Sequence, residues 1–111
     1  MAWNTLTDIS AIGDLAAASQ GRPQLIFKHS TRCGISTGAL RRMEGGLDAL
    51  AERFDLHYLD LLAHRPVSNH ISDHFDVEHH SPQVIVVDRG EVTFTASHGI
   101  ISPEFILEQT T

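Results

Sequence analysis

Hydrophobic positions along the 111-residue chain change period several times, and each change marks an element. Ile9, Ile12, Leu15 and Ala16 recur at helical spacing behind Thr5-Leu6-Thr7-Asp8, which has the form of a capping box, so a first helix is predicted there. Gly21 stops it and Pro23 follows, a common exit. Leu25-Ile26-Phe27 is a short apolar run between turn formers and reads as a buried strand. Leu40, Met43, Leu47, Leu50 and Phe54 keep steps of three and four straight through Gly45-Gly46. One long helix from about Gly34 to Arg53 is therefore predicted. Two glycines at roughly 1 kcal/mol each relative to Ala weaken its middle and allow a kink or break.

The remaining pattern is equally directional. "DLHYLDLL" alternates and reads as a second strand. Pro66 suits the first turn of a helix whose face is Val67, Ile71 and Phe75. The β-branched run "QVIVVD", the turn Asp88-Arg89-Gly90 and "EVTFTAS" make a hairpin, and Ser102-Pro103-Glu104 opens a last helix with Ser102 as cap. The order is helix, strand, helix, strand, helix, strand, strand, helix. It predicts an α/β fold with a central mixed four-stranded sheet, helices on both faces and a right-handed crossover between the first two strands. That arrangement resembles the thioredoxin architecture. Without repeats or a linker, residues 1–111 are expected to form a single thioredoxin-like domain.

Composition narrows the function. A formal charge of −6, with arginines scattered along the chain, argues against nucleic-acid partners and anionic membranes. No apolar run is long enough to span a bilayer, and the start "MAWNTLTDIS" lacks the basic segment and apolar block of a signal peptide. The single cysteine cannot form an internal disulfide, so a cytoplasmic setting is expected.

That cysteine carries the chemistry. Cys33 follows the strand end and the polar loop Ser30-Thr31-Arg32, where the long helix begins. Amides at a helix start lack internal partners, and the macrodipole adds partial positive charge. Both favour a thiolate below the free thiol's usual range of about 8.5. Arg32 is expected to add positive charge, and Lys28 too unless strand alternation points it away; Ser36 is expected to turn its hydroxyl toward the sulfur. An unpaired cysteine is otherwise a small buried hydrophobe, but the polar flank and the helix start favour a reactive one. Since position 36 is Ser and no other thiol exists, a mixed disulfide formed on Cys33 must be resolved by a small thiol or another protein.

"FKHSTRCGIS", "RPVSNHISDHFDVEHHSPQVIVV" and "ASHGI" together resemble the YtxJ-like monothiol bacilliredoxins, over about residues 25–100. The resemblance implies a cytoplasmic bacterial enzyme that reduces mixed disulfides between proteins and bacillithiol, with Cys33 as attacking sulfur. It implies no bound cofactor and no metal. Its partners would be a low-molecular-weight thiol as co-substrate and S-thiolated proteins. It further implies a cis peptide bond before Pro82, opposite the cysteine, leaving the Ser81 backbone able to pair with an extended substrate chain. Two departures stand out: Gly34 replaces the family's usual Pro, and Gly99 its usual Trp. Cys33, Ser36, Arg32 and His98 are thus the expected catalytic set, with Thr31, Gly34, Ser81 and Pro82 contacting substrate.

Eight histidines raise a metal hypothesis. His70 and His74 have i, i+4 spacing and His79-His80 follow, but no third ligand is forced toward them, so surface or structural roles are expected. His29 and His98 end the first and last strands and could each shuttle a proton near Cys33 or simply pack. The rival function is iron–sulfur cluster carriage, because Cys33-Gly34-Ile35-Ser36 is similar to the Cys-Gly-Phe-Ser motif of monothiol glutaredoxins. Against it, "ASHGIISPEF" stands where their Gly-Gly-x-Asp segment would lie. A third reading is a non-catalytic thioredoxin-like binding module.

Overall fold

Short apolar runs dictate the middle of the sheet. In the computed structural model, which describes residues 3–110, the strands are β1 (Trp3–Thr5), β2 (Gln24–His29), β3 (Asp55–Asp60), β4 (Gln83–Asp88) and β5 (Glu91–Ser97). The helices are α1 (Ser10–Ala18), α2 (Gly34–Glu44), α3 (Leu47–Arg53), α4 (Arg65–Phe75) and α5 (Pro103–Gln109), with a 3₁₀ turn at His98–Ile100. Strand order is β1-β3-β2-β4-β5. β3 runs parallel to both β1 and β2, whereas β4 is antiparallel to β2 and to β5.

The sheet has five strands rather than the expected four. The extra strand takes the place of the predicted capping box. Trp3 stacks on Phe27 at 5.9 Å and meets Tyr58 edge-on at 6.0 Å, and the Leu6 amide donates to the Tyr58 carbonyl at 2.9 Å. These contacts draw the segment onto β3 as an edge strand, and α1 then begins at Ser10 with no side-chain cap. The predicted long helix is two. Gly46 lies against α5, where an added Cβ would stand 2.5 Å from the Pro103 Cβ. The chain therefore leaves helical geometry at Gly46 to let α5 close on it, although the apolar phase continues.

The expected α5 cap and hairpin turn are both present. Ser102 Oγ accepts from the Phe105 amide at 3.1 Å and caps α5. Arg89 and Gly90 take positive φ values of 54° and 80°, the two-residue turn that a tight hairpin needs.

The core lies on both faces of the sheet. Leu25, Phe27, Leu56, Val84 and Val86 pack with Ala39, Met43, Leu50 and Ile106 from α2, α3 and α5. Ile26, Leu59, Ile85 and Val87 pack with Ile12, Leu15, Val67 and Ile71 from α1 and α4. Successive residues of β2 thus face different helical layers, as strand alternation requires.

Candidate active site

Register brings the chemistry to one end of the sheet. Lys28 pairs with Gln83, Gln83 with Ser97, and His29 with Asp60. The Ser30–Arg32 loop, the Ser81-Pro82 loop, the turn at His98 and the segment after Asp60 consequently emerge together.

Cys33 is the N-cap of α2, in extended geometry at φ −113°, and is a half-buried free thiol. Its amide donates to the Ser30 carbonyl at 3.3 Å, and its carbonyl accepts from the Thr37 amide at 3.0 Å, so the backbone on each side of the sulfur is fixed. Thr31, Arg32, Gly34 and Ile35 are exposed around it. Arg32 extends from the loop with no ion pair to another described residue. With Thr31, Asp60, Leu62 and Ala63 it lines an open cleft of about 460 Å³.

Ser36 is fully buried, and its hydroxyl does not turn to the sulfur as expected. Its Oγ lies 2.7 Å from His29 Nδ1 and accepts from the Ser30 amide at 3.0 Å. Both groups come from the end of β2, directly beneath the helix start, and outcompete the cysteine for the hydroxyl. His29 is itself buried, 5.8 Å from the Tyr58 ring and 5.9 Å from Phe27. Burial lowers its pKa, while the carboxylates of Asp60 and Glu44 act against that shift. Burial raises the Tyr58 phenol, and Asp60 and Glu44 push it further up.

Lys28 points away from the thiol. It is completely buried under α4, where its Nζ donates to the Ser68 carbonyl at 3.1 Å and to Ser72 Oγ at 3.2 Å, and meets His79 Nδ1 at 3.2 Å. Burial brings its pKa down to about 8. It adds no charge to the Cys33 face.

The Ser81–Pro82 bond is cis, as the resemblance implied. Pro82 is buried and its carbonyl accepts from the His98 amide at 3.1 Å, which ties the proline loop to the turn after β5. His98 itself is exposed at φ 61°, edge-on to His80 at 5.9 Å. Neither departure from the family pattern is forced by space, because a Cβ at Gly34 or at Gly99 would meet nothing within 4 Å.

A model of the monothiol bacilliredoxin BrxC family matches residues 4–106. The chain belongs to that family. Among solved structures, one described by its thioredoxin fold is 25% identical, covers 99% of this chain and 95% of its own, and superposes with a TM-score of 0.84. Thioredoxin from Fasciola hepatica is 15% identical over 96% of this chain and 94% of its own, with a TM-score of 0.73. Thioredoxin from Trypanosoma brucei brucei is 10% identical over 96% and 85%, with a TM-score of 0.75. The fold is the thioredoxin fold, and the role is thiol redox chemistry.

What the sequence did not reveal is the company Ser36 keeps. His29 was a candidate on position alone, and nothing local signals that Tyr58, Asp60 and Glu44 surround it. Only Asp60 had a visible marker, as a polar residue ending the β3 alternation. Among the described residues no group of three or more His, Cys, Asp or Glu could hold a metal ion, and no helix is long and apolar enough to cross a membrane. His70 and His74 lie 5.6 Å apart on α4, and His74 also meets the Phe75 ring edge-on at 4.7 Å.

Proposed function

We propose that the protein is a monothiol reductase of mixed disulfides between proteins and a small bacillithiol-like thiol, working in the cytoplasm. The observation that carries the reading is Cys33 itself: a lone, partly exposed thiol capping α2, with a buried serine where a resolving thiol would stand. Cys33 Sγ attacks the small-thiol sulfur of the substrate. The new S–S bond joins Cys33 to the small thiol, the old one breaks, and the protein sulfur leaves as a thiolate that takes up a proton. A second small thiolate then attacks the sulfur held on Cys33, releasing a small-molecule disulfide and restoring the enzyme. The partners are thus an S-thiolated protein and a small thiol, with no bound cofactor.

Two features support this division of labour. The cleft beside Thr31 offers the Arg32 cation and the Asp60 carboxylate, a pair suited to a zwitterionic small thiol. On the other side Ser81 and Pro82 offer an edge to an extended peptide. The test is intact mass after exposure to oxidised bacillithiol and, separately, oxidised glutathione, together with turnover of a bacillithiolated protein. One small-thiol adduct per chain is expected, and Cys33→Ser should reduce turnover to background. Turnover surviving in that variant would remove the sulfur from the mechanism.

A further inference from the structure

In a two-cysteine relative the residue three positions after the attacking sulfur is the second thiol; here it is a hydroxyl with two buried partners. We propose that Ser36 and His29 form a proton relay for Cys33, in which the thiol proton passes to Ser36 Oγ while the Ser36 proton passes to His29 Nδ1. This rests on Cys33 being the attacking sulfur.

The donor and acceptor count leads to it. The Ser30 amide occupies one lone pair of Ser36 Oγ at 3.0 Å. With His29 neutral and its proton on Nε2, the Ser36 hydroxyl donates to Nδ1 across 2.7 Å and offers its remaining lone pair to a donor. A Cys33 thiol is such a donor, so this arrangement favours the protonated sulfur. With His29 protonated, Nδ1–H donates to Ser36 Oγ, whose own hydrogen is then free to point at a thiolate. One proton moved through two hydrogen bonds converts the first arrangement into the second, with nothing gained or lost.

Position supports it too. An N-cap side chain reaches the backbone amide of the third helical residue, and Ser36 is that residue to Cys33. The sulfur makes no cap hydrogen bond here, so the relay requires rotation about the Cys33 Cα–Cβ bond to bring it to Ser36 Oγ. The charged and titratable groups facing His29 are Asp60 and Tyr58 from β3 and Glu44 from α2. Both carboxylates favour the imidazolium that the relay creates, against the burial that disfavours it. In the reverse direction His29 returns its proton through Ser36 to a departing thiolate. In the closed relay Ser36 is the group that meets the sulfur, and His29 acts through it.

The experiment is the pH profile of Cys33 alkylation by iodoacetamide for the wild type, His29→Gln, Ser36→Ala and the double variant. The glutamine amide of His29→Gln can accept the Ser36 hydrogen bond but cannot take up a proton. Each single variant should alkylate roughly tenfold more slowly near neutral pH, the worth of one hydrogen bond to a charge. All profiles should converge in alkali, where the thiolate is complete, and the double variant should be no slower than either single one. Coincident profiles, or losses that multiply, would overturn the relay. A measurement on the wild type alone guards against misfolded variants. The His29 imidazole should titrate at a different pH once Cys33 is alkylated, and an unchanged NMR titration would also overturn it. Alkylation reads ionisation only, so these results stand apart from whether any mixed disulfide is turned over.

Discussion

Lys28 and His29 are adjacent on β2, both buried and both titratable, yet the sheet sends them to opposite faces. Lys28 enters the α1–α4 layer and finds three acceptors, the Ser68 carbonyl, Ser72 Oγ and His79 Nδ1, matching its three ammonium hydrogens. His29 enters the layer of α2, α3 and α5 and finds Ser36, one turn from the thiol. Burial lowers the pKa of each. What differs is what the proton is connected to. The lysine proton is anchored to a helix and to the segment leading into the cis-proline loop. The histidine ring is hydrogen-bonded to Ser36, through which the proposed relay reaches the sulfur. Burial alone therefore does not mark function; the partner does.

The largest separation between the two should appear in alkali. The folded pKa of Lys28 is about 8 against an ordinary 10.5, so between those values the unfolded chain holds the proton that the native chain has released. More protons on the unfolded state means that stability rises with pH. The rise is about 3 kcal/mol in all, with about 2 kcal/mol of it between roughly pH 7.5 and 9.5. Urea denaturation across that window measures it. Lys28→Met should remove the slope and be at least as stable as wild type at neutral pH, because an apolar isostere has no charge to desolvate. An unchanged slope in that variant would mean that Lys28 is not its source.

Gly46→Ala strikes only the other layer. Its Cβ would stand 2.5 Å from the Pro103 Cβ, so α3 and α5 must part, with an expected loss of about 2 kcal/mol. The alkaline slope should survive intact, since the sheet separates the two sites. Chemical denaturation at two pH values checks both halves of this statement.

The acid limb belongs partly to His29. Burial lowers His29, His57 and His79, so below their ordinary range the unfolded chain binds protons that the native chain refuses. Stability then falls as pH drops through about 6.5, by at most about 1.4 kcal/mol per pH unit for His29 or His57 and by less for the exposed, solvent-screened His79. His29→Gln should flatten this limb by its share and leave the alkaline limb untouched, as parallel denaturation series would show. A flattening of both limbs would deny that the two faces are independent.

Much of this was legible in the chain, for reasons that differ by element. The central strands announce themselves because Leu25-Ile26-Phe27 and Val84 to Val87 are buried on both sides and need no alternation. β1 does not, since three residues on a sheet edge carry no period and are held by contacts with Phe27 and Tyr58, distant in sequence. The split between α2 and α3 was half readable. Gly45-Gly46 warns of weakness, but Pro103, distant in sequence, decides that the helix breaks. At the site, Cys33 could be placed from local order and Pro82 only from the family resemblance. The Ser36–His29 bond could not, because it depends on the rotation of α2 over the end of β2. Arg32 and His98 are near the site end in sequence and in space, yet their side chains meet solvent and His80 respectively.

His79→Ala gives the smallest effect and the sharpest comparison. The ring is exposed, but its Nδ1 takes one of the three Lys28 hydrogens, which requires that nitrogen to be unprotonated. Removing it leaves a charged donor one acceptor short in a buried site. Because water can approach from the exposed side, the loss should be about 1 kcal/mol rather than the larger cost of a sealed site. It should be felt at neutral pH, where Lys28 is charged, and fade toward pH 9.5 or so, where the amine is neutral. Cys33 alkylation should not change at any pH, since His79 lies on the face away from Ser36. An equal loss of stability at both pH values would make His79 a packing residue instead. A change in thiol reactivity would show that the sheet transmits between its faces what the geometry keeps apart.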